Sequence, residues 1–328
     1  MESHNSNIDI SIVIVNYKSW NHLFSCLESI QNIKLEYITI EVIVVDNCSN
    51  DSKLNVFRND FPNFSFIENS GNNGFANGCN LGAKNSSGDY LFFLNPDTII
   101  SKESILEMYT FLNENKNVGI VSCNQINTSG LYEKNVRFFP DLSTLFGLFR
   151  ALNKKKLNSK ISLKNDVLYP DWVSGAVLLI NRAWFDKISG WDEDFWMYYE
   201  DVNLSKKVSN LGGKVALLVN TEIIHNHGGS SRINIKTASI TKTEVLISKH
   251  VYIRHNYTGT KHFILQFLVV MNNLIGKIIA TLIGVLFFFI PKLRLNVYLC
   301  FNIIEYYSSS VLNKTWLSHR SLNHPNKN

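Results

Sequence analysis

Short apolar runs rich in β-branched residues alternate, along the first half of the chain, with stretches of helical periodicity. Ser11 to Tyr17 is followed by Trp20, Leu23, Leu27 and Ile30 on one stripe and then by Glu41 to Asp46, which predicts a βαβ opening. Further runs stand at Ser65 to Glu68, Asp89 to Leu94 and Val118 to Cys123, with Ile105, Met108, Tyr109 and Leu112 marking a helix before the last of them. None of these runs alternates with polar residues, so each strand is expected to be covered on both faces, as in a largely parallel sheet. Ligands bind such sheets beyond the carboxyl ends of the strands, where Asn16, Asp46 and Asp97 fall.

From Arg137 to Asp171 the pattern changes. Phe138, Phe139, Leu145, Phe146, Leu148 and Phe149 precede Arg150, Lys154, Lys155, Lys156, Lys160 and Lys164. Two readings stand: a solvated loop beside a core helix, or a segment that touches a membrane surface or an anionic lipid-linked substrate. Order returns at Trp172, with a strand over Val177 to Ile180 and an aromatic, acidic stretch from Trp191 to Asp201. A helix carrying Leu204, Val208 and Leu211 stops at Gly212-Gly213, and a strand from Val215 to Val219 leads to His225 and His227. Beyond Thr237 the pattern is helical, then strongly apolar from Phe263 to Ile290, interrupted by Gln266, Asn272, Asn273 and Lys277. The cleanest piece, Ile278 to Ile290, is shorter than the roughly 20 residues of a spanning helix. A membrane-associated helical hairpin is therefore expected, with a buried core helix and one tilted span as alternatives. The predicted organisation is a disordered start over 1–8, an α/β domain over 9–236, a connecting helix over 237–262 and a membrane-associated tail over 263–328 with a fraying polar end.

A length of 328 residues holds one large α/β domain with an appendage. The net charge of +5 is small, and the basic residues are not interleaved with aromatics, so no nucleic-acid partner is expected. Five widely spaced cysteines without a C-x-x-C pair indicate neither a disulfide framework nor a zinc site, and they fit a reducing cytosol. Met1 to Asp9 is polar and carries no secretory pattern.

Candidate chemistry gathers at the strand ends. Asn95-Pro96-Asp97-Thr98 puts an acidic turn after Tyr90 to Leu94, where a carboxylate can hold a hard cation and the cation a diphosphate; an ordinary turn before a helix is the alternative. Asp46 could accept the imide N–H of a uracil or thymine, or simply close an Asx turn. Gly74, Gly78 and Gly82 would line one face of a helix beginning near Gly74 and allow close backbone packing. The stretch Asn69 to Gly88 is no dinucleotide fingerprint, because no Gly-x-Gly follows Val15, and it is no phosphate loop either. Glu200 and Asp201 open the helix of Leu204, as a base or as a capping pair. His225 and His227 would share a strand face and suit one metal ligand and one diphosphate contact.

In order, Ile14-Val15-Asn16-Tyr17, Val44 to Ser49, Asn72 to Ala76, Leu94 to Asp97, Trp172-Val173-Ser174-Gly175-Ala176, Trp196 to Leu204 and His225 to Ser230 resemble glycosyltransferase family 2, particularly its bacterial rhamnosyltransferase-like members. The resemblance covers about residues 9 to 232. It implies an α/β GT-A fold with a mixed, mostly parallel sheet flanked by helices. It assigns Val15, Asn16 and Asp46 to the nucleoside. Asp97 becomes the metal-binding acid of an Asp-x-Asp motif whose first acid is here Asn95. The same likeness makes Asp201 the catalytic base with Glu200 beside it, and places Gly74, Trp172, Ser174 and Gly175 near the donor or acceptor. His225 or His227 would share a divalent cation, Mg²⁺ or Mn²⁺, with Asp97. The implied reaction is inverting transfer of a sugar, L-rhamnose from dTDP-L-rhamnose or a sugar from another UDP or GDP donor, to a lipid-linked saccharide at the cytoplasmic face of a bacterial membrane. O-antigen or other polysaccharide synthesis is the implied setting, and a non-catalytic sugar-nucleotide-binding scaffold is the alternative.

Overall fold

The computed structural model describes residues 8–133, 138–153, 163–226 and 234–327. By internal packing the chain divides into two units, one of Met1–Asn72, Gly78–Trp191 and Asp201–His227, the other of Asn73–Asn77, Asp192–Glu200 and Gly228–Asn328.

The first unit is built on one sheet. Its strands are β1 (Ile10–Asn16), β2 (Ile40–Asp46), β3 (Ser65–Glu68), β4 (Tyr90–Leu94), β5 (Thr98–Ile99), β6 (Val118–Ile126), β7 (Leu163–Lys164), β8 (Val167–Leu168), β9 (Val177–Asn181) and β10 (Lys214–His225). They lie in the order β3-β2-β1-β4-β9-β6-β10-β8-β7, with β5 paired to β10. β1 runs parallel to β2 and β4, β2 to β3, and β6 to β10. β9 is inserted antiparallel between β4 and β6. Its apolar run resembles those of the parallel strands, so hydrophobic pattern alone does not reveal its direction.

Isoleucines and valines make β1 a strand, and every residue of it is buried. One face carries Ile10, Ile12 and Ile14, which join Val42, Val44, Phe92 and Leu94 in a core closed by helices α1 (Trp20–Gln31), α2 (Lys53–Asp60) and α4 (Lys102–Glu114). The stripe Trp20, Leu23, Leu27 and Ile30 is buried, as its spacing predicts. The other face receives α3 (Phe75–Lys84) through its glycines. A Cβ on Gly78 would stand 2.7 Å from Val15 Cγ1, and one on Gly82 would stand 2.4 Å from Val13 Cγ1. Gly74 does not belong to this stripe. It precedes the helix with φ +98, and a Cβ there would meet the Trp196 carbonyl at 2.2 Å.

The second unit is chiefly helical, with helices Ile235–Asn256, Gly259–Leu286 and Pro291–Leu312. The predicted boundaries at 237, 262 and 263 shift accordingly: the connecting helix ends at Asn256, and the apolar helix starts at Gly259 rather than Phe263. The run to Ile290 is not one element, because the helix closes at Leu286 and Pro291 opens the next, as proline at a first helical position does. The hairpin expected within Phe263 to Ile290 is instead a single helix there, which packs on the following helix with Gly284 close to the backbone of Leu293: a Cβ there would lie 2.5 Å from its carbonyl oxygen. The expectation of a frayed polar end is overturned. Leu317, Ser318, Ser321 and His324 are buried, and the two serines are held by hydrogen bonds to Glu244 and to the Glu193 carbonyl, which hydrophobic pattern does not disclose.

Candidate functional site

The β1–β2 register sets Asn16 beside Asp46 at the carboxyl ends of both strands. Asn16 Nδ2 donates to Asp46 Oδ1 at 3.0 Å, the Ser49 hydroxyl donates to the same oxygen at 2.6 Å, and the Ser49 amide donates to Oδ2 at 2.9 Å. Asp46 therefore closes the turn that follows its strand, the local reading of its sequence, and both oxygens are engaged in doing so. Cys48 and Asn50 adopt left-handed backbone in this turn, and Asn69 Nδ2 donates to Asn47 Oδ1 across it at 2.9 Å. Val15 is buried against Gly78.

Asp97 and His225 meet because β5 pairs antiparallel with the end of β10, placing Thr98 opposite His225. The Asn226 amide also donates to the Asp97 carbonyl at 2.8 Å. Thr98 is held in turn by its hydroxyl on the Asn95 carbonyl at 2.8 Å, so the Asn-Pro-Asp turn leads into a two-residue strand rather than directly into α4. His225 Nε2 lies 3.2 Å from Asp97 Oδ1. On the far side of the ring Nδ1 lies 2.9 Å from Gln125 Oε1 and 3.5 Å from Glu133. Gln125 sits on β6, paired with Ile223 of the neighbouring β10, and is buried. Gln125 and Glu133 are absent from every sequence motif. The parallel register of β6 on β10 brings Gln125 to the ring, and the turn after β6, closed by the Ile126–Tyr132 bridge and the Glu133 amide on the Gln125 carbonyl at 2.8 Å, brings Glu133.

With Gln125 Oε1 as acceptor, a proton on Nδ1 suits this contact, and Nε2 faces a carboxylate. Two acceptors at that distance repel unless a proton or a cation lies between them. Burial alone would lower the imidazole pKa, but the hydrogen bond and charge of Asp97, followed by Glu133, outweigh it and leave it raised. A buried carboxylate oxygen and an oriented imidazole nitrogen also form a donor set that suits a divalent cation, so the residues present fit the implied metal. His227 lies outside the described residues.

Asn95 also ties this corner to a third group. Its amide donates to the Ala176 carbonyl at 2.9 Å, and the amide of the adjacent Gly175 donates to Asp201 Oδ2 at 3.1 Å. Asp201 lies in the first turn of the helix Glu200–Asn210, with Oδ1 accepting from the Val202 amide at 2.8 Å. Asp201 is half-buried while Glu200 is buried, which leaves Asp201 the accessible carboxylate of the two. Ser174 Oγ accepts from the Ala176 amide at 3.3 Å, and Trp172 Nε1 donates to the Phe138 carbonyl at 3.0 Å. The basic cluster Lys154 to Lys160 lies outside the described residues. Another acidic group, Asp192 and Asp194 with His255, belongs to the helical unit; its imidazole lies 3.4 and 2.8 Å from the two carboxylates, and supplies their counter-charge when protonated.

A family model, Glycosyl transferase family 2, matches residues 11–182. The low-salt glycan biosynthesis hexosyltransferase Agl10 of Haloferax volcanii is 30% identical over 225 residues, 66% of this chain and 67% of that protein. The rhamnosyltransferase WbbL of Escherichia coli K12 is 29% identical over 139 residues, 42% of this chain and about half, 52%, of its own length. Among solved structures, the mannosyltransferase PcManGT of Pyrobaculum calidifontis, in complex with GDP-Man and Mn²⁺, superposes with a TM-score of 0.54 at 14% identity, over 79% of this chain and 68% of that one. The sheet order with its flanking helices is thus that of the GT-A fold.

Proposed function

From the premise that this chain belongs to glycosyltransferase family 2, we propose that it transfers a sugar with inversion from a nucleotide diphosphate donor to a hydroxyl of a lipid-linked saccharide. The observation that carries this reading is the continuity from Asp97 and His225, through Asn95 and Ala176, to Gly175 and Asp201. Asp201 accepts the acceptor hydroxyl's proton while that oxygen attacks the anomeric carbon, and the bond from that carbon to the diphosphate oxygen breaks on the opposite face. The Gly175 amide holds the carboxylate in place for that transfer. Asp97 and His225 would hold Mg²⁺ or Mn²⁺, which when bound neutralises charge on the departing diphosphate. Val15, Asn16, Asp46 and Gly74 would border the nucleoside and donor, and Trp172 and Ser174 the sugar or acceptor. L-rhamnose from a dTDP donor is the leading choice, supported by the WbbL similarity, ahead of other UDP- or GDP-sugars. One helix among the described residues, Gly259–Leu286, is long and apolar enough to cross a membrane, which supports work on a lipid-linked acceptor at the cytoplasmic face, in polysaccharide or O-antigen synthesis.

The test is transfer from a panel of dTDP-, UDP- and GDP-sugars to a membrane-extracted acceptor. Activity should fall on chelation and return with Mn²⁺, and Asp201→Asn should lower the rate roughly a hundredfold or more with folding intact. Full activity after chelation removes the metal from this reading. A near-normal Asp201→Asn rate removes the base.

A further inference from the structure

The segment Asp192–Tyr199 runs directly into Glu200 and Asp201, and the helical unit grips it along nearly its whole length. From the helix Ile235–Asn256, His255 lies 2.8 Å from Asp194 and 3.4 Å from Asp192, Ser248 Oγ donates to the Met197 carbonyl at 2.8 Å, and the Tyr252 ring lies 5.9 Å from that of Tyr199. From the C-terminal end, Ser321 Oγ donates to the Glu193 carbonyl at 3.1 Å and Asn323 Nδ2 donates to Asp194 Oδ1 at 2.9 Å. The Arg320 guanidinium lies over the Trp196 ring at 5.7 Å and pairs with the fully buried Glu244 at 3.1 Å.

The backbone of this segment is not one it would keep unaided. Tyr198 and Tyr199 both adopt left-handed backbone, with φ of 69 and 67. Two successive bulky residues there persist only where the surroundings over-determine them, and such strain concentrates at functional positions. The Trp196 carbonyl in addition accepts from the Phe75 amide at 3.0 Å, so the segment also fixes the turn at Gly74. The cluster is anchored in the interior at its serines: Ser318 and Ser321 are buried, and Ser318 Oγ donates to Glu244 at 2.9 Å.

We propose that Arg320, Ser321 and Asn323, with His255 opposite them, are positioning residues that hold Asp192–Tyr199, the stretch of chain continuous with Glu200 and Asp201, in its strained form. This rests on Asp201 as the base. None of the four touches substrate; they act through the segment that delivers the carboxylate. Their loss is therefore felt in turnover before donor affinity.

The experiment compares the wild-type protein with the Ser321→Ala/Asn323→Ala double variant and, separately, with Arg320→Lys, which keeps a charge for Glu244 but loses the guanidinium over the Trp196 ring. Hydrogen exchange is followed in peptides covering 192–201 and β1, with steady-state transfer measured alongside. The expected result is exchange at 192–201 at least tenfold faster, β1 unchanged, and kcat lowered at least tenfold with the donor KM within twofold. Arg320→Lys should move both readouts in the same direction by a smaller factor. Unchanged exchange at 192–201, or faster exchange with wild-type kcat, overturns the proposal. Absence of transfer by the wild-type protein with every donor would instead overturn the functional reading, while the exchange arm still decides whether these residues hold the segment.

Discussion

At His225 the chemistry depends on a residue that no motif contains. Gln125 faces Nδ1 at 2.9 Å and so decides which ring nitrogen is left toward Asp97. Outer partners of this kind typically change metal affinity by about 10- to 100-fold. Gln125→Ala should weaken Mn²⁺ binding, measured calorimetrically on the purified protein, by a factor in that range, and wild-type affinity would show that the amide does not orient the ring. The residues legible in the sequence are those whose role is local. Asp46 and Asn16 sit at strand ends that composition marks, and Gly78 and Gly82 repeat at a helical interval. Gln125 and Glu133 are not legible, because only the register of β6 against β10 and the turn that follows β6 make them neighbours of the ring. The spacing of Gly74 suggests a helix face, whereas the structure places it in the turn before the helix, since its left-handed φ is a backbone property that spacing does not disclose.

At the scale of elements, the strands and the α1 and α4 stripes follow closely from β-branched runs and helical spacing, and strand direction does not. The antiparallel β9 and the two-residue β5 are set by tertiary pairing, and β5 is the element that carries Thr98 opposite His225. The helix Ile235–Asn256 docks on Asp192–Tyr199 partly through His255, which also faces Arg254. Burial would lower the His255 pKa, but the Asp194 hydrogen bond and the charge of Asp192 raise it overall. Its contribution to stability is therefore complete below the ordinary histidine value and fades as pH rises through the raised one. Asp194 behaves oppositely. Burial would raise its pKa, but His255 and Asn323 hold it below the usual carboxylate range, so its contribution fades as pH falls through that lowered value. The thermal midpoint should thus decline from about pH 6 upward in the wild type, and His255→Gln should flatten that slope in a melting series. An identical slope in the variant would rule the pair out as its source.

For the whole molecule, the apolar helix Gly259–Leu286 leaves much of its hydrocarbon uncovered. Phe263, Phe267, Ile275, Ile279, Leu282 and Leu286 are exposed, while its buried face sets Leu265 and Val269 beside Gln266 and Asn273, which are hydrogen-bonded to His250 and to Tyr307. An exposed apolar face on a helix long enough to cross a membrane is a candidate for lipid contact. Replacing Phe263, Phe267 and Leu282 with serine should lower partitioning onto anionic vesicles by roughly tenfold or more. Equal co-sedimentation of the two proteins would exclude this face from the contact. The closing strand pair has a different reach. Asp97 and His225 are distant in sequence and adjacent only once β10 has docked on β5 and β6, so the unfolded chain offers a cation no such pocket. At the cation site proposed above, ion affinity and conformational stability would be one linked equilibrium, so that a bound cation would act as a thermodynamic latch on the sheet as well as an aid to the leaving group.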